Sequence, residues 1–412
     1  MKINPFKPGN PVPVGVFAGR AKELLQIDKC LLQTSYFSPQ NILITGERGI
    51  GKTSVSYMAK ATAEGKIALT EGELKKPLIT AYFSVKKNTA SAVVISQIVE
   101  ELETQLEPYR GLMGAAFDNI KKFVQSFQSI SMQGLEIKTK NNQTIPVEEV
   151  YIEAKKTLRK CANACRNTED PNESRSICLI VDELDSMGDF ENFSSFWKGL
   201  QETLGADNSN NLQLIFIGMP ELRDKLADDH ESILRSFTPI HLDKMVESEA
   251  RAVIEKSLEG SGKTITPEAM KKILDYSERF PHLIQELGYS AFEVSETNEI
   301  SEGDVEAGVH GNEVYEGSIK RLATLFFSKM YREIQKSDNF KEILKIIADN
   351  SSSEQKWVTR QDILNKFSGK KGSLDSSIRT LKDRELIITN PETQGQYRIV
   401  SKMFHAYVEN LL

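Results

Sequence analysis

The chain has 412 residues, 27% of them charged, and a net charge of −6. That length exceeds one ordinary core, so two or three domains are expected. The acidic balance excludes a protein that coats nucleic acid over its whole surface. No run of eighteen apolar residues occurs, which argues against a transmembrane helix and a membrane role, and the opening MKINPFKPGNPVPVG lacks the apolar stretch of a secretory leader.

Through the first 240 residues, apolar runs alternate with helical patterns. Strands are expected at Asn41–Thr45, Leu78–Ser84, Ile177–Val181, Leu212–Ile217 and Ile240–Leu242. Several are apolar on both faces, as buried parallel strands are. Helices fall between them, at Ala21–Leu32, Lys52–Ala63, Ala90–Leu106, Val147–Asn163 and Phe193–Leu204. The alternation predicts an open, doubly wound α/β sheet. Ser129–Pro146 breaks the rhythm with period-two segments around an Asn-Asn tip, and reads as an inserted β-hairpin at about 127–146. The polar run Asn167–Ser176 reads as an exposed loop.

After about residue 245 the strands stop. Ser248–Leu258, Pro267–Tyr276 and Pro281–Val294 form a helical set, Ser301 is a candidate N-cap, and a longer helix is expected over Glu313–Gln335. The tail then reads as helices at Phe340–Ala348, Thr359–Phe367 and Leu374–Arg384, followed by strands around Leu386–Thr389 and Gln396–Val400. Helix-helix-helix-hairpin is the layout of a winged helix. Three domains follow: a core over 1–245, a helical lid over 246–312, and a linker helix with a winged helix over 313–412. From Phe340 to Leu412 there are 12 Lys and Arg against 9 Asp and Glu, a mildly basic tail on an acidic body.

Four scattered cysteines, Cys30, Cys161, Cys165 and Cys178, fit a reducing, cytoplasmic setting. Cys161 and Cys165 are spaced for one side of a zinc site, but no second ligand pair follows. Cys178 lies inside an apolar strand and is expected in the core.

The strongest chemical signal is Gly46-Glu47-Arg48-Gly49-Ile50-Gly51-Lys52-Thr53-Ser54, which fits G-x-x-x-x-G-K-[ST] between a strand and a helix. Its glycines let backbone N–H groups face phosphate oxygens, and the helix N-terminus adds positive potential. Lys52 reaches the β- and γ-phosphates of ATP, and the Thr53 hydroxyl is a candidate Mg²⁺ ligand. The second signal is an apolar strand that ends in Asp182 and Glu183. Asp182 is placed to hold the Mg²⁺ shell and Glu183 to polarise the attacking water. Asp185 is read as a surface or capping residue.

GERGIGKT and LIVDELD together resemble the AAA+ ATPases, in particular the branch of origin-recognition-type initiators and related prokaryotic ATPases with a C-terminal winged helix. Asn4-Pro-Phe with Phe17-Ala-Gly-Arg20 resembles that family's N-terminal box, which packs on adenine. Leu214–Leu222 resembles its fourth strand, Leu234–Leu242 the segment with its arginine finger, and Arg279–Gly288 its second-sensor helix. The resemblance implies a P-loop parallel sheet with a helical lid, ATP held between them, and an α+β winged-helix domain after them. It implies nucleotide contacts from Phe17, Arg20 and His282, with Arg279 the alternative to His282, and a finger at Arg235. A surface ion pair for Arg235 and a structural role for His282 stand as the plain readings. The fourth strand departs from the pattern, because Ile217-Gly-Met-Pro offers no polar sensor.

A winged helix lays its third helix in the major groove of DNA. The candidate contacts are Lys370, Lys371, Arg379, Lys382 and Arg398. Two functions are left open by the residues: a DNA-associated ATPase, or a signalling ATPase of a defence or stress system whose winged helix binds a protein effector. Either is compatible with a homo-oligomer. A chaperone-like remodeller is disfavoured, since no pore-loop aromatic follows the second strand.

Overall fold

A computed structural model describes residues 3–68, 72–127, 131–133, 136–138, 144–166, 172–312, 315–325, 332, 334–335, 337–351 and 356–411. The chain divides into two compact units. One is Pro11–Asp243; the other joins Met1–Asn10 to Lys244–Leu412.

The first unit is built on a five-stranded sheet. Its strands are β1 (Asn41–Gly46), β2 (Ile79–Ser84), β6 (Ile177–Asp182), β7 (Leu212–Gly218) and β8 (Phe237–Leu242), all parallel, in the order β2-β6-β7-β1-β8. The central strands β6 and β7 are buried throughout, which is why they read as continuous apolar runs. Helices Ala21–Ser35, Lys52–Ala63, Ser91–Leu106, Val147–Cys165 and Phe193–Ala206 lie where expected, within a few residues. Rings of Phe193, Trp197, Phe216 and Phe237 interlock in the core beside them.

Four features differ from expectation. β8 begins at Phe237, three residues before the predicted Ile240, with Pro239 inside it. β8 is an edge strand, where a missing N–H faces outward and costs no ladder bond. Helices Arg110–Met113 and Ala115–Phe127 stand where no helix was expected. The insertion forms three short antiparallel strands, β3 (Ser131–Gln133), β4 (Glu136–Lys138) and β5 (Thr144–Pro146), instead of a two-stranded hairpin. In the loop expected at Asn167–Ser176, residues 167–171 lie outside the described residues, and Ser174 and Ser176 are buried rather than exposed. The Ser176 hydroxyl donates to the Thr34 carbonyl at 2.7 Å.

The second unit opens with helices Glu247–Leu258, Pro267–Ser277, Pro281–Val294 and Glu302–His310, and, against the expectation that strands stop near residue 245, the short strands β9 (Thr264–Ile265) and β10 (Glu299–Ile300) pair in parallel between them. Ser301 caps the last of these through a capping box with Asp304. The first ten residues belong here, not with the sheet. The Asn4 side-chain amide donates to the Tyr289 carbonyl at 3.0 Å, and the Lys7 N–H donates to Gln285 at 2.9 Å. Phe6 lies so close to Gly288 that a Cβ there would overlap the ring. The long helix expected over Glu313–Gln335 is observed as Ser318–Leu325, and most of its remainder lies outside the described residues.

The C-terminal part has helices Asp338–Ser351, Arg360–Lys366 and Lys371–Asp383, strands β12 (Ile387–Thr389) and β13 (Gln396–Ile399), and two unpredicted elements. One is the short strand β11 (Val358–Thr359), which pairs with β13; the other is the final helix Lys402–Leu411. Lys402 forms an ion pair with Asp275 and so ties that helix to Pro267–Ser277. Among the described residues no helix is long and apolar enough to cross a membrane.

Candidate functional site

The loop after β1 turns through left-handed backbone at Gly49 (φ 80°) and Gly51 (φ 96°), where a side chain would be strained. Gly46 is needed for space: a Cβ there would stand 2.9 Å from the Leu242 carbonyl oxygen. The loop ends in the N-terminus of helix Lys52–Ala63, whose unpaired N–H groups and positive dipole end favour phosphate. Lys52 Nζ donates to the carbonyls of Gly46 (2.6 Å) and Glu47 (2.9 Å) and touches Met219 Sδ at 3.5 Å. Burial lowers the pKa of this ammonium, against the pull of Asp185, Asp182, Glu183 and Glu221. Glu47 and Arg48 point to solvent; Ile50 is buried.

Asp182 ends β6, 1% exposed. Its Oδ1 accepts the Glu183 N–H at 2.8 Å, and its Oδ2 accepts the Tyr82 hydroxyl at 3.0 Å. Glu183 is exposed, adopts φ 55°, and accepts the Ser84 hydroxyl at 3.3 Å. Left-handed backbone at a glutamate is strained, and such strain clusters at functional sites. The sheet therefore gathers Lys52, Thr53, Asp182 and Glu183 at the C-terminal ends of its strands, where open α/β sheets bind ligands.

Other expected residues land differently. Arg20 is 3% exposed; its guanidinium donates to the Ile50 carbonyl at 3.1 Å and pairs with Glu23 at 3.4 Å, so it braces the loop. The Ser54 hydroxyl is engaged by the Val12 N–H at 3.1 Å, which docks the N-terminal segment on the phosphate-loop helix. Phe17 is half-buried in that segment. His282 is half-buried at the start of helix Pro281–Val294, and Arg279 is exposed in a left-handed turn before it; both belong to the second unit. Arg235 is exposed and, among the described residues, makes no hydrogen bond or ion pair. It precedes β8, whose Phe237 pairs with Asn41, at the end of β1 away from the loop.

Three residues escaped the sequence. Tyr82 and Ser84 hold the two acidic side chains. Met219 fills the place where a polar sensor was sought. Asp185, read as a surface or capping residue, caps no helix: it accepts the Met219 N–H at 2.9 Å in the turn after β7, and its charge faces Lys52. Gly218 admits it, since a Cβ there would come within 2.6 Å of the Asp185 carboxylate.

Cys161 and Cys165 are buried in the core, where desolvation pushes both thiols up. No cluster of three or more His, Cys, Asp or Glu residues able to hold a metal occurs among the described residues. Thr53 and Asp182 are hard oxygen donors, and Mg²⁺ takes one or two such protein ligands while keeping several waters. The residues fit that ion.

In the C-terminal part, Lys370, Lys371, Arg379 and Lys382 are exposed. Arg398 is not available in the same way: it is half-buried and lies over the Trp357 ring at 4.5 Å. Asp375, on the face of helix Lys371–Asp383 shared by Lys371 and Arg379, is clamped by Arg360 through two bonds of 2.7 and 2.8 Å. That pairing holds its carboxyl below the ordinary range.

The profile of the AAA domain family matches residues 35–226. In structure the chain is similar to the Walker-type ATPase of Pyrococcus abyssi, with 12% identity, TM-score 0.51, and coverage of 95% of this chain and 96% of that one. It is similar too to the ORC2 protein of Aeropyrum pernix in its ADPNP–ADP complexes, with 14% identity, TM-score 0.51, and coverage of 98% and 95%. Identities this low speak to the fold. No curated protein matches the chain in sequence.

Proposed function

We propose, from the match of residues 35–226 to the AAA domain family and the P-loop sheet that carries them, that the chain is an ATP-driven switch that acts on DNA through a C-terminal winged helix. In this reading Lys52 binds the β- and γ-phosphates. Thr53 and Asp182 would hold Mg²⁺, which would supply positive charge to the phosphate oxygens. Glu183 accepts a hydrogen bond from the attacking water and orients it. The observation that supports the ATPase part best is the convergence of Lys52, Asp182 and Glu183 at one end of the sheet. The four free, buried cysteines suit the cytoplasm.

For DNA, the supporting observation is the exposed cationic face Lys371–Arg379–Lys382 with Lys370 beside it, where Arg360 ties off Asp375 while exposed Asp383 and Glu385 dilute the charge. Four phosphate contacts imply a log–log salt slope of about −4. Fluorescence anisotropy on duplex DNA should give that slope, and reversing Arg379 and Lys382 to Glu should abolish binding while basal ATP hydrolysis is unchanged. Absence of duplex binding at about 50 mM salt, where such contacts are strongest, would remove the DNA part.

One observation favours a second reading, in which the domain docks a protein effector of a signalling ATPase. The turn between β12 and β13 carries no cation, and Arg398 is committed to Trp357. That reading expects deletion of Phe340–Leu412 to raise ATPase activity.

Arg235 tests assembly. Five residues of strand, about 17 Å, separate its end of β1 from the loop, so it has no reach to its own phosphates. Acting in a homo-oligomer, Arg235→Ala should bind ATP normally and lose turnover. Mixing it with Lys52→Ala should restore part of the rate, because one interface then pairs an intact loop with an intact finger. No rescue, with assembly verified by light scattering, would point to a monomeric switch.

A further inference from the structure

Tyr82 does no phosphate chemistry, yet it is built into the site. In the β2–β6 register it lies opposite Ile180, and Ser84 lies opposite Asp182. Residues two apart share a face of the sheet, so the phenol and the Asp182 carboxylate are diagonal neighbours. The hydroxyl donates to Asp182 Oδ2 at 3.0 Å, while Oδ1 is taken by the Glu183 N–H at 2.8 Å. With Asp182 1% exposed, these two bonds fix its rotation in place of water. Ser56 faces the same phenol from the phosphate-loop helix, and its own hydroxyl donates to the Thr53 carbonyl at 2.7 Å. Tyr57 braces the ring edge-on, with centroids 5.4 Å apart at 61°.

We propose that Tyr82 is a positioning residue for the metal-binding carboxylate, linking the strand that carries Asp182 to the helix that carries Thr53. This rests on the ATPase reading above. The Tyr82 hydroxyl holds one Asp182 oxygen so that the carboxylate's remaining lone pairs face the phosphate loop. Partners behind a metal ligand typically contribute 10- to 100-fold in metal affinity.

The test is binding of a fluorescent ATP analogue, in excess EDTA and across a Mg²⁺ titration, to wild type, Tyr82→Phe, Asp182→Asn and the double variant. Phenylalanine keeps the ring against Tyr57 and removes only the hydroxyl. Tyr82→Phe should raise the Mg²⁺ half-point roughly tenfold or more, leave binding in EDTA unchanged, and add nothing to Asp182→Asn. An unmoved half-point would overturn the proposal. So would an equal loss in EDTA, which marks a merely structural role, or an additive effect in the double variant. A wild type whose analogue binding ignores Mg²⁺ would instead overturn the ATPase reading, and this inference with it.

Discussion

Lys52→Ala should raise the Kd for ATP roughly 10- to 100-fold with the fold intact. A charge-assisted hydrogen bond contributes about 1.5–3 kcal/mol, and each 1.4 kcal/mol is tenfold. Lys52 donates to the carbonyls of Gly46 and Glu47, where water can replace it once the side chain is gone. Burial depresses its pKa despite the surrounding acids. For a lysine, a folded pKa below the unfolded one means that the charged form costs folding free energy. That cost is present below the depressed pKa and is relieved as pH rises through it. Removing the ammonium therefore should not lower the melting temperature of the empty protein. The variant should lose the stabilisation by ATP, which is about 2.7 kcal/mol at a hundredfold excess over Kd. Isothermal titration alongside a thermal melt reads both quantities. Unchanged ATP affinity would sink the assignment of the loop.

The sheet was legible because β6 and β7 are buried on both faces, and a buried strand must be apolar on both. The phosphate loop was legible for a different reason: close backbone approach to phosphate demands glycine at fixed spacing. Tyr82 and Ser84 were not legible. Their role depends on β2 lying beside β6, almost a hundred residues away in the chain, and no local pattern encodes which strand is whose neighbour. Met219 was invisible because a thioether is not what a phosphate sensor is expected to be. The start of β8 was missed because Pro239 argues against a strand unless that strand is known to be an edge. Arg398 was read as a DNA contact from its charge; that it lies half-buried over the Trp357 ring is a property of packing that no local pattern shows. Cys178 is buried in β6, as its place in an apolar strand implied, where a thiol serves as a small apolar side chain.

Glu183→Gln should leave ATP affinity unchanged and lower turnover by roughly 10²-fold or more, the scale of losing a general base. The substitution isolates basicity from shape. Glutamine can still accept the Ser84 hydroxyl that now meets Oε2 at 3.3 Å. The Glu183 N–H that fixes Asp182 belongs to the backbone and survives any side-chain change. The exposed side chain loses its negative charge and its capacity to take up the water's proton. Asp185 is the competing acid, but its Oδ1 already accepts the Met219 N–H at 2.9 Å and its charge faces Lys52, so it is committed to the loop. Phosphate-release kinetics distinguish the two. Turnover like wild type in Glu183→Gln, together with a collapse in Asp185→Asn, would transfer the water-orienting role to Asp185. A collapse in Glu183→Gln with nucleotide affinity preserved leaves Glu183 as the group that acts on the water, because every contact that shapes the site without that charge would still be in place.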